Sequence, residues 1–395
     1  MVSKNLGKLA KEHSDASFTE KKLLDRQAVI MVREGGKTKE YLIDRKEYEA
    51  LQKIESLRID EQKHASGDFP LPEDFDYIFS VSVRDGKIVS YNFSQRETPG
   101  TKALQKIPNE IGDLTFLESI WISFNEIDSL EPLSRNERLT EIFANVNNIS
   151  DLSPLGSLQL KTLVISRNPI ESLEPLYSVN TLVSLDVEST KIRCIDGIQR
   201  LANLENLNVG GLGISEMPDS ISSMKRLKTL YISGNRFSKL PEAISKMDSL
   251  ETLNANNCGL SNIDGIGGMK SLKNLNVGYN RLESLPDEIG CLQHCEIFNV
   301  TKNELKTLPK SIIKLKKLNI LDASYNEIAH LPRLYEFSPQ FLHLNNNHIK
   351  CFSKPFRGLK AGYVLAYGND ETWSEQKKTK KLKDSYVAFS GPEMY

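Results

Sequence analysis

The residues of this chain that are capable of chemistry are scattered and form no recognisable catalytic set. Cys291, His294 and Cys295 carry zinc-binding side chains, but no second pair of ligands follows at the spacing of zinc sites. Residues 1–76 and 372–395 contain no glycine-rich phosphate loop, paired-carboxylate motif or G-x-S-x-G sequence. We therefore predict a protein that is not an enzyme, with no catalytic residue, metal, cofactor or small-molecule substrate.

Most of the chain follows one repeated spacing of apolar residues. Leu272–Leu282 has the pattern L-x-x-L-x-L-x-x-N-x-L, whose first position recurs at steps of 21, 22 or 23 residues in twelve units. These first positions are Leu117, Leu139, Leu160, Leu182, Leu204, Leu227, Leu250, Leu272, Cys295, Leu318, Pro339 and Ala361. The asparagine position is kept in nine units and holds Thr190, Leu212 and Cys258 in the others.

The twelve units resemble the leucine-rich repeat superfamily over about three quarters of the chain. The resemblance implies an α/β solenoid, a right-handed horseshoe whose concave parallel sheet has about 12–13 strands. Each motif is too short to be stable alone, so it pairs with the same segment of the next coil. The motif asparagine is expected to bond backbone groups left open where the strand ends.

The segments that return between motifs are of two kinds. Five share the pattern L-P-x-x-I or a close variant, as in Leu240–Ile244, with proline expected at the first helical position. They resemble Ras-suppressor-type repeats. Four others, such as Ile149–Leu155, resemble the repeats of the type-1 protein phosphatase regulatory subunit. Both kinds belong to intracellular binding proteins, so the resemblance implies a scaffold or regulatory subunit whose partner is a phosphatase catalytic subunit or a small GTPase.

The sequence outside the repeats predicts smaller structures at both ends. A small α+β segment is expected first: a helix opened by Ser17 and Glu20 and reaching Ala28, then two strands, then a helix capped by Asp44 and Glu47. The Asp-Gly pair after Arg84 predicts a hairpin that covers the first coil. The predicted domains are 1–76 (N-terminal segment and linker), 77–116 (capping hairpin and first coil), 117–371 (repeats) and 372–395 (C-terminal cap and tail).

Composition and hydropathy predict the cellular compartment of the protein. The net charge is −1, no apolar run reaches the roughly 18 residues of a membrane span, and the N-terminus lacks a secretory apolar core. Cys258 and Cys295 replace motif residues, which favours buried, reduced thiols. We predict a cytoplasmic monomer that contacts neither membrane nor nucleic acid.

Function is expected on the positions between the motif leucines, because a solenoid fold by itself implies none. Three such positions in each of twelve units give 36, none of them Lys or Arg, although about five would be expected by chance. Such a face suits a protein partner with a neutral or basic surface. The predicted partner-binding residues are Trp121, Phe124, Phe143, Val164, Asp186, Glu188, Tyr231, Asn254, Asn276, Asp322, Tyr325 and His343.

These candidates leave alternatives open. The apolar patch of Trp121, Phe124, Phe143 and Val164 either binds the partner or is covered by the N-terminal segment. The asparagines either bind a peptide backbone or bond one another across neighbouring strands. His343 is interpreted as a packed or hydrogen-bonded neighbour of aromatic rings rather than a catalytic base.

Overall fold

A computed structural model of the chain describes residues 27–34, 37–56, 78–79, 81–94, 103–370 and 386–388. The predicted capping box at Ser17 and Glu20 lies outside these residues, as does the linker predicted at the end of the segment 1–76. Ala28, expected at the end of the first helix, lies in a strand instead. The chain forms two compact units, Met1–Lys191 and Ile192–Tyr395, called unit 1 and unit 2 below.

Unit 1 has nine strands and one α-helix among the described residues. The strands are β1 (Gln27–Glu34), β2 (Lys37–Asp44), β3 (Ile78–Phe79), β4 (Val81–Arg84), β5 (Lys87–Asn92), β6 (Ser119–Trp121), β7 (Glu141–Phe143), β8 (Thr162–Val164) and β9 (Ser184–Asp186). The helix α1 is Arg45–Ser56. Strand β1 pairs antiparallel with β2 and parallel with β3, while β5 to β9 pair in parallel, each with the next.

The helix α1 closes the first coil of unit 1. Asp44 caps it as predicted, since its Oδ1 accepts from the N–H of Lys46 at 2.9 Å. The expected cap by Glu47 is wrong: this side chain is buried, and its Oε2 accepts from the N–H of Ile88 in β5 at 3.3 Å. Burial raises the pKa of Glu47. Lys53 also pairs with Glu110 of the first coil, so the helix and the hairpin β4–β5 together cover the end of the repeat.

Unit 2 has nine strands and one short α-helix among the described residues. The strands are β10 (Asn206–Asn208), β11 (Thr229–Tyr231), β12 (Thr252–Asn254), β13 (Asn274–Asn276), β14 (Ile297–Asn299), β15 (Ile320–Asp322), β16 (Phe341–His343), β17 (Tyr363–Leu365) and β18 (Tyr386–Ala388), and α2 is Glu242–Ser245. All pair in parallel, each with the next. The strands β5 to β17 are thirteen in the described part of the chain, which confirms the predicted number.

The returning segments are mostly single turns of 3-10 helix. The turns in the described part span Asn109–Asp113, Glu131–Arg135, Ser153–Leu155, Glu174–Leu176, Ile198–Arg200, Asp219–Ser223, Ile266–Gly268, Asp287–Cys291 and Lys310–Lys314. In the L-P-x-x-I coils the proline expected at the first helical position stands one residue earlier with extended backbone, as Pro286 does at φ −68° and ψ 149°. The prediction was one residue out, because the helix begins only after the proline has turned the chain.

The motif asparagines hold neighbouring coils together, as predicted. The Nδ2 of Asn280 donates to the carbonyls of Ala255, Val277 and Gly278, and its Oδ1 accepts from the N–H groups of Cys258 and Leu260. Asn125, Asn147, Asn168, Asn235, Asn303, Asn326, Asn347 and Asn369 bond in the same manner. These bonds satisfy buried backbone groups that the turn would otherwise leave unpaired.

Candidate protein-binding face

Three side chains of each coil lie on the exposed face of the parallel sheet. We call them the entry row (first residue of each repeat strand), the centre row (last residue of that strand) and the exit row (two residues later). In-register pairing aligns them: Ser119 is level with Glu141, and Trp121 with Phe143. Neighbouring members of a row therefore lie about 4.8 Å apart along the sheet.

The structure brings together two residues of the predicted apolar patch in unit 1. The rings of Trp121 and Phe143 stack in the centre row, with centroids 5.1 Å apart and planes 2° from parallel. Val164 follows on the next strand, and all three side chains are half-buried. Phe124 lies outside the three rows, at a turn where its φ is 59°, and it is 53% exposed.

The acidic pair of unit 1 lies at the end of strand β9. Asp186 is in the centre row and Glu188 in the exit row, and both are half-buried. The Oδ1 of Asp186 accepts from the N–H of Glu188 at 3.0 Å. The carboxylate of Asp186 therefore fixes its own turn while still adding negative charge to the face.

The asparagines of the centre row in unit 2 use their carbonyl groups within their own coils. The Oδ1 of Asn254 accepts from the N–H of Asn256 at 3.1 Å, and that of Asn276 accepts from the N–H of Gly278 at 3.0 Å. The alternative of bonding between these two side chains across the strands is therefore not what the structure shows. Tyr231 precedes them in the row on β11 and is exposed.

A histidine, a carboxylate and two aromatic rings meet at the other end of unit 2. The Nδ1 of His343 lies 3.8 Å from the Oδ2 of Asp322, and the ring of Phe341 meets that of His343 edge-on at 6.3 Å. Burial acts to raise the pKa of Asp322, but the neighbouring ring of His343 and the hydrogen bond from the N–H of Ser324 outweigh it, so that this pKa is lowered. Phe341 stacks on Tyr363 at 5.5 Å.

Sequence reasoning missed a fourth row, formed by the residue before each motif asparagine position. Its members have positive φ in coil after coil, including Tyr279, Lys302 and Tyr325. The Nζ of Lys302 lies 4.6 Å from the ring centroid of Tyr279 and 5.5 Å from that of Tyr325. Tyr325, one of the predicted partner-binding residues, thus contacts a lysine that stands beside the face. The sequence contains the information needed to find this row, because the repeat alignment places Tyr279, Lys302 and Tyr325 at the same position of the repeat.

Two cysteines that replace motif residues lie in the core behind this face. Burial raises the pKa of the Cys258 thiol to about 11 and that of Cys295 to about 12, so both stay protonated at neutral pH. No group of three or more His, Cys, Asp or Glu side chains is arranged to hold a metal within the described residues. In the same part of the chain no helix has the length and apolar character needed to cross a bilayer.

Comparison with known proteins identifies the repeat. Residues 159–279 match a family described as a leucine-rich repeat region, and residues 268–328 match one described as leucine rich repeat. Over 120 residues, or 30% of the chain, the sequence is 28% identical to an adenylate cyclase of Schizosaccharomyces pombe. The match spans only 7% of the length of that cyclase.

Two solved bacterial proteins share the fold. A leucine-rich-repeat protein of Leptospira interrogans is 24% identical, with a TM-score of 0.61 over 72% of this chain and 81% of its own. An internalin of Listeria monocytogenes is 21% identical, with a TM-score of 0.56 over 72% of this chain and 78% of its own. The family matches within residues 159–328 agree with the repeat spacing, the asparagine bonding and the parallel sheet, so the chain has the leucine-rich-repeat fold, an α/β solenoid.

Proposed function

We propose that this chain is a non-catalytic interaction protein that binds a partner protein on the strand face, as a scaffold or regulatory subunit. The stacked pair of Trp121 and Phe143, with the exposed ring of Phe124 nearby in sequence, is the observation that carries the proposal. Clustered aromatic side chains that remain partly exposed supply much of the energy of protein–protein binding.

The charges on the face favour a partner with a neutral or basic surface. The entry, centre and exit rows contain Glu141, Asp186, Glu188 and Asp322 but no Lys or Arg. A nucleic acid would find no counter-charge for its phosphates in these rows, so we propose that the partner is not a nucleic acid. The subtype resemblances favour a phosphatase catalytic subunit or a small GTPase.

The match to a segment of an adenylate cyclase supports a second candidate function. In this alternative the chain is an enzyme-linked effector or a regulator of a phosphatase or a GTPase, and the partner supplies all the activity. Cys258 and Cys295 are buried thiols, which supports a cytoplasmic site of action for either candidate. We propose that the protein acts as a monomer.

Capture of partners from the source cell tests the proposal. We expect Trp121→Ala with Phe143→Ala to reduce capture of the specific partner at least about tenfold, because interface aromatics are common hot spots. Tyr335→Ala is the matched control, because Tyr335 is an exposed ring outside the three rows. Thermal melting followed by circular dichroism should show Tm within a few degrees of the wild type. Unchanged capture would contradict the proposal, and a large fall in Tm would show that the pair is part of the core.

A further inference from the structure

The entry row of unit 2 changes character partway along the sheet. On β10 to β13 it holds polar side chains, namely Asn206, Thr229, Thr252 and Asn274. On β14 to β17 it holds Ile297, Ile320, Phe341 and Tyr363, which we call the apolar strip. The two halves share one structural position, so the repeat itself does not account for the change.

The apolar strip faces outward rather than into the core. Ile297 is 41% exposed, Phe341 36% and Tyr363 47%, while the core residue between entry and centre rows, such as Leu321 on β15, is fully buried. Strict register keeps the four side chains side by side on consecutive strands. A contiguous exposed apolar surface of this kind marks an interaction site.

The negative charge of Asp322 beside the apolar strip favours a ligand that carries a positive charge. Asp322 lies in the centre row of β15, two residues beyond Ile320, and it is ionised at neutral pH because its pKa is lowered. No Lys or Arg occupies the entry, centre or exit row from β14 to β17. A ligand that covers the strip therefore gains from a positive charge next to Asp322 and is penalised for a negative one.

The backbone of these strands excludes an added strand as the ligand. Each strand from β14 to β17 already pairs with a neighbour on both sides, so none offers an open edge. Four strands about 4.8 Å apart span about 14 Å. An α-helix has a pitch of about 5.4 Å, so about three turns laid across the strands match this span, with apolar residues at i, i+3, i+4, i+7 and i+11.

We propose that the apolar strip is a docking site for an amphipathic helix of a partner protein, whose apolar face covers Ile297, Phe341 and Tyr363 and whose Lys or Arg flank meets Asp322. The proposal rests on the interaction function proposed above and adds a second surface with its own ligand class. It makes unit 2 a receptor for a short segment.

Selection from a random 16-residue peptide library displayed on phage, against the full chain, tests the docking site. We expect enriched peptides with apolar residues at i, i+3, i+4, i+7 and i+11 and a basic flank, which gain helicity on binding. Phe341→Asp should weaken the best peptide at least about tenfold, and Asp322→Asn about threefold. Thr252→Asp is the matched control in the polar half of the same row and should leave affinity unchanged. Phe341→Ala with Tyr363→Ala repeats the test without a buried charge, with Tm as the folding control.

The outcomes separate this site from the general function. Peptides that bind the strip variants as well as the wild type, or that lack the helical pattern, overturn the docking site, while Trp121-dependent capture can still stand. Concentration-dependent dimers that Phe341→Asp abolishes would show that a second copy occupies the strip, which also overturns it. If no peptide is enriched and capture does not depend on Trp121 and Phe143, both proposals fail.

Discussion

Among the described residues, each unit carries a stacked pair of aromatic rings on neighbouring strands, and the two pairs lie in different rows. In unit 1 Trp121 and Phe143 stack at 5.1 Å in the centre row, where both are half-buried. In unit 2 Phe341 and Tyr363 stack at 5.5 Å in the entry row, where both are exposed. The stacking has one cause, because in-register parallel strands place equal positions side by side. The difference shows that register creates the pair, while the surroundings of each pair set its exposure.

The two units also hold carboxyl groups with opposite pKa shifts. Burial raises the pKa of Glu47 in unit 1, and its Oε1 has no hydrogen-bond partner. Asp322 in unit 2 is partly buried, yet the neighbouring ring of His343 and a hydrogen bond from the N–H of Ser324 lower its pKa. The fold therefore disfavours the charged form of Glu47, which is buried beside the first coil, whereas it favours the charged form of Asp322, which lies on the strand face.

The largest expected loss of stability follows from removing a motif asparagine. It tests whether these asparagines hold in register the two strands that carry each stacked aromatic pair. Asn147 joins the coils of Trp121 and Phe143 through bonds to Ile122 and Ile127, and Asn369 joins the coils of Phe341 and Tyr363 through Leu344 and Ile349. Asn147→Ala should cost about 3 kcal/mol of unfolding free energy because it leaves several buried groups unpaired. Asn369→Ala should cost about 1–2 kcal/mol, since Asn369 is only part-buried.

Urea unfolding of the two variants measures the difference. Asn148→Ala is the control, because Asn148 is the exposed neighbour of Asn147 and should cost less than about 0.5 kcal/mol. Equal losses of unfolding free energy in Asn147→Ala and Asn369→Ala would mean that the deeper burial of Asn147 does not make its hydrogen bonds more stabilising.

An intermediate effect concerns pH and has opposite signs in the two units. The raised pKa of Glu47 means that its charge costs stability at neutral pH, and this cost is relieved as pH falls toward 4.5. Glu47→Gln should therefore raise Tm by a few degrees at pH 7, and the gain should shrink as pH approaches 4.5. Asp322→Asn should lower Tm above pH 3.8, with the difference lost as pH falls below that value.

Melting curves between pH 3 and pH 8 check both signs. A Glu47→Gln variant that is less stable than the wild type at pH 7 would show that the bond from Ile88 outweighs the cost of burying the charge. The comparison of the two carboxyls would then no longer hold.

The smallest expected effect on stability comes from contacts between cations and aromatic rings. Unit 1 has two cations on one ring, whereas unit 2 has one cation between two rings. In unit 1 the ring of Phe116 has Lys87 at 5.2 Å and Arg138 at 4.3 Å, whereas in unit 2 Lys302 lies between two tyrosine rings. Phe116→Leu and Lys302→Met each remove both contacts, so each should cost about 0.5–1 kcal/mol. Lys306→Met is the control, because Lys306 has only an exposed partner at 3.9 Å and should change the unfolding free energy little. A neutral result for Lys302→Met would show that its contacts with the tyrosines are incidental.

The sequence alone determined the repeated part of the fold. The apolar period identified Leu272, Leu275 and the equivalent core residues, and the asparagine position predicted bonds such as those of Asn280. These features repeat every 21 to 23 residues, so a single chain shows each of them many times over. The alignment also identified the face and its lack of Lys and Arg.

Only the tertiary structure decided what depends on a particular neighbour. The bond from Ile88 to Glu47 joins residues 41 apart in sequence, and no local pattern predicts it. Three other features likewise depend on side-chain rotamers and backbone turns. They are the stacking of Trp121 on Phe143, the hydrogen bonds that the side-chain carbonyls of Asn254 and Asn276 accept within their own coils, and the position of Lys302 between Tyr279 and Tyr325. Periodicity fixes the row to which a side chain belongs, but its contacts are set by the different residues that the fold places on either side of it.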